Sequence, residues 1–214
     1  RDNLTTYLDI CSALYLSGKT QVVLVGVLHS NDPRDISKEF SLDNLESVLD
    51  SYSIVNALHK MPVRKRVFPL PAPRNMDGDE WNQYFAHIRK TRDELLDSID
   101  ALTAVLTTGD VCHYGHGYAA YSTKDAAICA NPEQLLAEKI KTLLETIFEK
   151  EDIASFLLRS RELLSDQTSA AILVKELFGR ETTVELFDLK FSDYSSVLSA
   201  DKPTLVASAF YGVY

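Results

Sequence analysis

Four prolines within fourteen residues constrain this chain more than any other feature of its sequence. They stand at positions 62, 69, 71 and 73 of the segment Met61–Arg74. Proline fixes its own φ angle, lacks a backbone N–H and disfavours helical geometry in the preceding residue, so no helix can run through this segment. An extended path is therefore predicted, with residues 61–78 acting as an arm or linker.

The same segment is basic in an acidic chain. It contains Arg64, Lys65, Arg66 and Arg74 and no acidic residue, whereas the whole chain has a net charge of −9. An extended, positively charged arm on an acidic globule favours contact with an acidic surface of another molecule or of a second copy. These four residues, together with Phe68, are therefore predicted to bind a protein partner.

Length and composition indicate a globular protein. The 214 residues suffice for one ordinary domain or two small ones, and 45% apolar with 25% charged residues is typical of folded domains. No apolar run approaches the roughly 20 residues that span a bilayer. The acidic balance disfavours nucleic acid as the main partner, and a nucleic-acid-associated factor that uses the basic arm is the weakest alternative.

The cysteines indicate a reducing environment. Cys11, Cys112 and Cys129 are an odd set without the spacing of a disulfide framework, which predicts free thiols and an intracellular compartment. The chain begins at Arg1 rather than at Met, which is compatible with removal of an N-terminal targeting segment or pro-segment.

Hydrophobic periodicity predicts a helix-rich α+β fold with about six helices. The small sheet is predicted to contain an N-terminal strand and two C-terminal strands, and parallel crossovers are not expected. The predicted domains are 1–60, 61–78 as the arm, and 79–214, and the first and third could form a single domain. Helices are predicted at 4–17, 41–58, 79–108 and 131–148, with one or two more between 156 and 178 and a short turn at 194–198. Strands are predicted at 21–28, 182–191 and 204–214.

One cluster of metal-competent side chains stands out. Cys112, His113 and His116 lie within five residues and next to Asp110, and thiolate and imidazole are the ligands that zinc prefers. The spacing differs from that of a zinc finger, so no cofactor is predicted outright, and zinc at this cluster is the alternative. A metal-dependent hydrolase, in which the ion activates water, is the corresponding alternative function.

Tyrosines in the same stretch predict a contact surface. Tyr114, Tyr118 and Tyr121 lie close together, with two glycines between the first two. Tyrosine is enriched at protein interfaces, although packing on the long helix would also explain these residues. The chain contains no GxGxxG, GxxxxGK[ST], GxSxG or HExxH motif, so no catalytic residue is predicted. The favoured function is therefore a non-enzymatic assembly or interaction protein, a subunit that binds its neighbour through the basic arm.

Overall fold

The computed structural model describes residues 18, 21–28, 64–71, 73, 78–121, 131–150, 152–179 and 182–214. Over these residues the protein is α+β and helix-rich, as predicted, with five α-helices, one 3₁₀ helix and six strands. The chain divides into two compact units, Arg1–Thr108 and Gly109–Tyr214. The helices predicted at 4–17 and 41–58 lie outside the described residues. No described helix has the length and apolarity that crossing a bilayer requires.

The first unit contains a parallel three-stranded sheet. Its described elements are β1 (Gln21–Leu28), β2 (Arg64–Pro71), α1 (Gly78–Leu96) and β3 (Thr103–Thr108). The strand order is β2-β1-β3, and β1 pairs parallel with both neighbours. The prediction that β1 is a central strand is confirmed. The expectation that parallel crossovers are absent is wrong, because β2, α1 and β3 form one.

Within its described residues the basic segment is extended, as predicted, and there it is a paired strand rather than a free arm. Arg64–Pro71 forms β2 and pairs along its whole length with β1 of the same chain, from Gln21 opposite Arg64 to Leu28 opposite Pro71. Two prolines fit this strand because it lies at the edge of the sheet. Pro69 and Pro71 are two residues apart, so the missing N–H groups fall on one side of β2 and leave the other side for pairing.

The long helix predicted from Asp79 to the residue before Gly109 is too long. α1 ends at Leu96, and the last part of the predicted helix is strand β3. Polar side chains turn the chain between them: Asp100 Oδ1 accepts hydrogen bonds from the Leu102 N–H and the Thr103 hydroxyl, at 2.9 and 2.8 Å. The buried side chains of α1, Tyr84, Ile88 and Leu95 among them, follow the predicted helical stripe up to that point.

The second unit begins with a strand and a 3₁₀ helix, in a stretch where neither a strand nor a helix is predicted. β4 (Cys112–Gly115) leads directly into the 3₁₀ helix His116–Tyr121. Later elements agree with the sequence prediction to within a few residues. They are α2 (Pro132–Phe148), α3 (Ile153–Leu163), α4 (Thr168–Phe178), β5 (Val184–Asp193), α5 (Ser195–Leu198) and β6 (Thr204–Val213).

The second sheet is antiparallel, with strand order β4-β6-β5. The two C-terminal strands share a sheet, as predicted, but the third strand is β4 rather than the N-terminal strand, which belongs to the sheet of the first unit. β6 is apolar on both alternations and lies between two neighbours, as a central strand should.

One face of this sheet packs against the helices. Tyr211 of β6 lies with its ring centroid 6.0 Å from that of Phe148, at the end of α2. α4 is buried almost all round, from Thr168 to Lys175, which is the behaviour of a core helix. The core of the unit consists mainly of aliphatic residues from α2 and α4, and it includes the fully buried Phe148 and Phe156.

Candidate functional site

The second unit brings a histidine against two carboxylates. His113 lies on β4, Asp110 lies just before that strand, and Asp166 lies in the turn between α3 and α4. The His113 Nε2 atom is 3.6 Å from Asp110 Oδ2 and 3.8 Å from Asp166 Oδ2. The three side chains each offer one ligand atom, and these atoms lie within 4.8 Å of one another. We call these three residues the triad.

The α3–α4 turn fixes the orientation of the imidazole. Leu164 ends α3 in the left-handed conformation, with φ of 51° and ψ of 44°. Its carbonyl oxygen lies 2.8 Å from His113 Nδ1. A carbonyl can only accept, so Nδ1 carries the proton and, in the neutral ring, the lone pair of Nε2 faces the carboxylates.

Hydrogen bonds also position the two acids. The Ser208 hydroxyl on β6 donates to Asp110 Oδ1 at 3.1 Å, on the oxygen that does not face His113. The Asp166 N–H donates to the Asp110 carbonyl oxygen at 2.9 Å, so the two segments are joined through the backbone as well. This arrangement has the orienting partners that metal-binding histidines and carboxylates usually have.

Gln167 ties the same turn to the residue before Asp110. Its side-chain Nε2 donates to the Gly109 carbonyl oxygen at 2.8 Å. The Gln167 side chain is buried. In the described part of the chain, its Oε1 is the one buried side-chain polar atom without a hydrogen-bond partner. A buried acceptor of this kind calls for a bound water or ligand as donor.

The carboxylates shift the pKa of His113. Burial lowers this pKa, but Asp110, the Leu164 carbonyl and Asp166 together outweigh the burial, so the pKa lies above its ordinary value of 6.5. Without a metal ion the two carboxylates therefore favour protonation of His113 more than water would. A divalent cation would compete with that proton for the same place.

Tyr118 forms one wall beside the triad. Its ring meets that of His113 edge to face, with centroids 4.9 Å apart. Burial and the charges of Asp110, Tyr194 and Asp166 raise the pKa of the Tyr118 phenol above 10, so the hydroxyl stays protonated at neutral pH. Of the three predicted tyrosines, only Tyr118 is placed beside the triad; Tyr114 lies on β4, and the side chain of Tyr121 is outside the described part.

The structure does not assemble the predicted Cys112–His113–His116 cluster. Successive residues of a strand point to opposite faces. Cys112 therefore lies on the buried side of β4, while His113 points to the side of Asp110 and Asp166. Burial raises the pKa of Cys112 to about 12, which makes this thiol a poor metal ligand. His116 is exposed at the start of the 3₁₀ helix. Its backbone N–H donates a hydrogen bond to the Pro203 carbonyl oxygen at 3.0 Å.

The residues predicted to bind a partner are only partly visible. Arg64, Lys65, Arg66 and Phe68 have their backbone in β2, but their side chains are outside the described part of the chain, as is Arg74 entirely. Sequence reasoning noticed Asp110 beside the cluster and missed Asp166. The available signal for Asp166 was a short polar break, Ser165-Asp166-Gln167, between two apolar helices. Comparison of the chain with protein-family models and with curated proteins finds no match.

Proposed function

We propose that the second unit binds a divalent metal ion at the triad and that the protein is a metal-dependent hydrolase. The observation that carries this proposal is the gap between His113 Nε2 and the two carboxylate oxygens, at 3.6 and 3.8 Å. Ligand atoms bound about 2.1 Å from a tetrahedral zinc ion lie about 3.4 Å apart, so a small inward movement closes the triad around an ion.

The ligand types fit a transition metal. One imidazole nitrogen and two carboxylate oxygens suit Zn²⁺, Mn²⁺ or Fe²⁺ better than Ca²⁺, which prefers oxygen ligands alone. Three protein ligands leave a coordination position for water, as catalytic sites require. The ion would lower the pKa of that water and supply a hydroxide nucleophile at neutral pH, and the protonated Tyr118 hydroxyl beside the triad could donate a hydrogen bond to the developing oxyanion.

Metal binding is tested by titrating chelator-treated protein with Zn²⁺ or Mn²⁺ in a calorimeter. We expect one ion per chain and an affinity that falls at least about 100-fold in Asp166→Asn, because that variant removes a ligand. Asp188→Asn is the matched control: Asp188 pairs with Lys190 at 3.3 Å on the same sheet but is not part of the triad. An unchanged affinity in Asp166→Asn, or no ion bound by the parent protein, would contradict the metal site.

Hydrolysis is tested separately on nitrophenyl esters. We expect turnover that is lost on treatment with chelator, restored by the metal and absent from Asp166→Asn. Metal binding without turnover on any ester or amide would leave the site standing and remove the hydrolase.

An assembly role is a second proposal, and β2 is the feature that favours it. Among the described strands β2 lies at the edge of its sheet, and an edge strand with basic residues in its sequence suits pairing with an acidic partner. Native mass measurement of a variant with Arg64, Lys65 and Arg66 all changed to Glu tests it at low salt. The role predicts loss of the oligomer, and an oligomer that persists unchanged contradicts it.

A further inference from the structure

The triad shares one face of the second sheet with an exposed group of aromatic side chains. Directly paired residues of an antiparallel sheet point the same way, so His113 lies on the face of its partner Val206. The alternate residues that follow on β6 are on this face too. They are Ser208, which holds Asp110, then Phe210, Gly212 and Tyr214.

Phe187, Phe210 and Tyr214 form what we call the aromatic platform. They are 48%, 49% and 62% exposed, and the ring centroids of Phe187 and Phe210 are 5.4 Å apart. A Cβ atom on Gly212 would lie only 3.0 Å from Phe187 Cε2 and 2.9 Å from the Tyr214 hydroxyl oxygen. Both rings therefore occupy the space that a side chain at position 212 would fill.

The distance between the two features suits a single small molecule. Ser208, which touches the triad, and Phe210, which belongs to the platform, are two residues apart on one strand, and hence about 7 Å apart. Lys190 is paired with Ser208 across the strands and Asp188 with Phe210, and these two side chains form an ion pair of 3.3 Å beside this path. The distance along this face from the triad to the aromatic platform is thus comparable to the length of a short acyl chain.

We propose that the substrate of the metal site is an ester or amide whose acyl group is apolar and lies on the aromatic platform. This inference rests on the proposed hydrolase function. Two carboxylates offset the charge of a divalent ion, so the loaded site is nearly neutral and suits an uncharged carbonyl better than a phosphate dianion. His113, Asp110 and Asp166 would hold the ion, which would supply hydroxide from water. Hydrolysis would join that hydroxide oxygen to the carbonyl carbon, break the bond to the alcohol or amine, and pass the proton to the leaving group.

The experiment compares two metal-chelating probes, acetohydroxamate and octanohydroxamate, by calorimetry on the full chain loaded with Zn²⁺. Both probes carry the same chelating group, and only the longer one reaches the platform. We expect octanohydroxamate to bind at least about tenfold more tightly, because several methylene groups leave water. Phe210→Ser should reduce that ratio to about twofold or less without changing the affinity for Zn²⁺ or acetohydroxamate.

Leu158→Ser is the matched control, since Leu158 is 62% exposed on α3 and should leave the ratio unchanged. Equal affinities for the two probes in the parent protein, or a ratio that survives Phe210→Ser, would overturn the inference while leaving the metal site intact. Failure to bind Zn²⁺ at all would instead overturn the proposed function, and the inference with it. A dimer that Phe210→Ser dissociates, with no difference between the probes, would assign the platform to a second copy and also overturn the inference.

Discussion

His113 combines two opposing electrostatic demands in one side chain. Burial disfavours its positive charge, whereas Asp110, the Leu164 carbonyl and Asp166 favour it and prevail. The same neighbours that raise its pKa are the ones that would hold a cation in place of the proton. The protonation of His113 and metal binding at the triad are therefore linked.

The raised pKa of His113 predicts a pH dependence of stability in metal-free protein. Because the folded-state pKa lies above the unfolded value, the stabilisation is fully present below about pH 6.5 and is lost as pH rises through the folded pKa. We expect His113→Gln to lower the free energy of unfolding in mildly acidic buffer and to matter less in alkaline buffer. Urea unfolding with chelator present measures both. A difference between the two proteins that does not change with pH would contradict the electrostatic account.

The sequence pointed to His113 and to Asp110 beside it, but not to Asp166 or Leu164. Clustering along the chain suggested Cys112 and His116 as co-ligands, yet strand alternation turns Cys112 to the opposite face, and His116 begins the next element. Leu164, which orients the imidazole, is 51 residues away in sequence. A contact of that range depends on how α3 and α4 turn, and no local pattern contains it.

The starts of α2 and α3 show that similar capping residues act differently. Asp152 accepts a hydrogen bond from the Ser155 N–H at 2.9 Å, as a capping side chain should. Asn131 occupies the corresponding position of α2, but its amide donates to the Gln134 side chain at 3.2 Å instead of accepting from the backbone.

This contrast predicts unequal costs for the two alanine variants. Asp152→Ala should lower the free energy of unfolding by about 1 kcal/mol because an N–H at the start of α3 loses its partner. Asn131→Ala should cost about 0.5 kcal/mol or less, because its side chain caps nothing. Thermal and urea unfolding of both variants tests this expectation, and equal losses would contradict it.

Gly115 shows how closely β4 approaches the chain before β6. Its φ is +100°, and a Cβ atom there would lie 1.8 Å from the Pro203 carbonyl oxygen, which is backbone and cannot move aside. Gly115→Ala should therefore cost at least about 3 kcal/mol, from strain and overlap together. Gly179→Ala is the matched comparison, because Gly179 also has a positive φ, of +81°, but nothing within 4 Å. It should cost about 1–3 kcal/mol from strain alone; a comparable or larger loss at Gly179 would contradict the overlap.

Elements with a strong local signal were predicted, including β1, β5 and β6, whereas β2, β3 and β4 were not predicted as strands. Asn131-Pro132-Glu133 predicted the start of α2, and Gly179 the end of α4. The segment of β2 was predicted to be an arm because its prolines disfavour a central strand. Prolines are tolerated in an edge strand, which is the position that β2 has. β3 was predicted to be helical because its apolar residues continue the helical spacing of those in α1. The two elements are separated by the turn that Asp100 forms, which the spacing of apolar residues does not reveal.

Over its described residues the chain is α+β, but the sheets of its two units differ in kind. The first is parallel with a helical crossover, and the second is antiparallel. Composition and element content predicted the fold class, whereas the assignment of six strands to two sheets requires long-range pairing. The prediction therefore placed strands that belong to two different sheets in a single sheet.

The division of the chain predicts that the triad survives isolation of the second unit. All three ligands, together with Leu164, Ser208 and the aromatic platform, belong to Gly109–Tyr214. That unit also has its own core, centred on the fully buried Phe148 and Phe156. A fragment of residues 109–214 should unfold cooperatively in urea. It should bind Zn²⁺ with an affinity within about threefold of that of the full chain, because the hydrogen bonds that hold the ligands are all made within this unit. A fragment that folds cooperatively but binds no metal would show that the ion needs ligands from outside this unit. A fragment without cooperative unfolding would show that the unit does not fold independently.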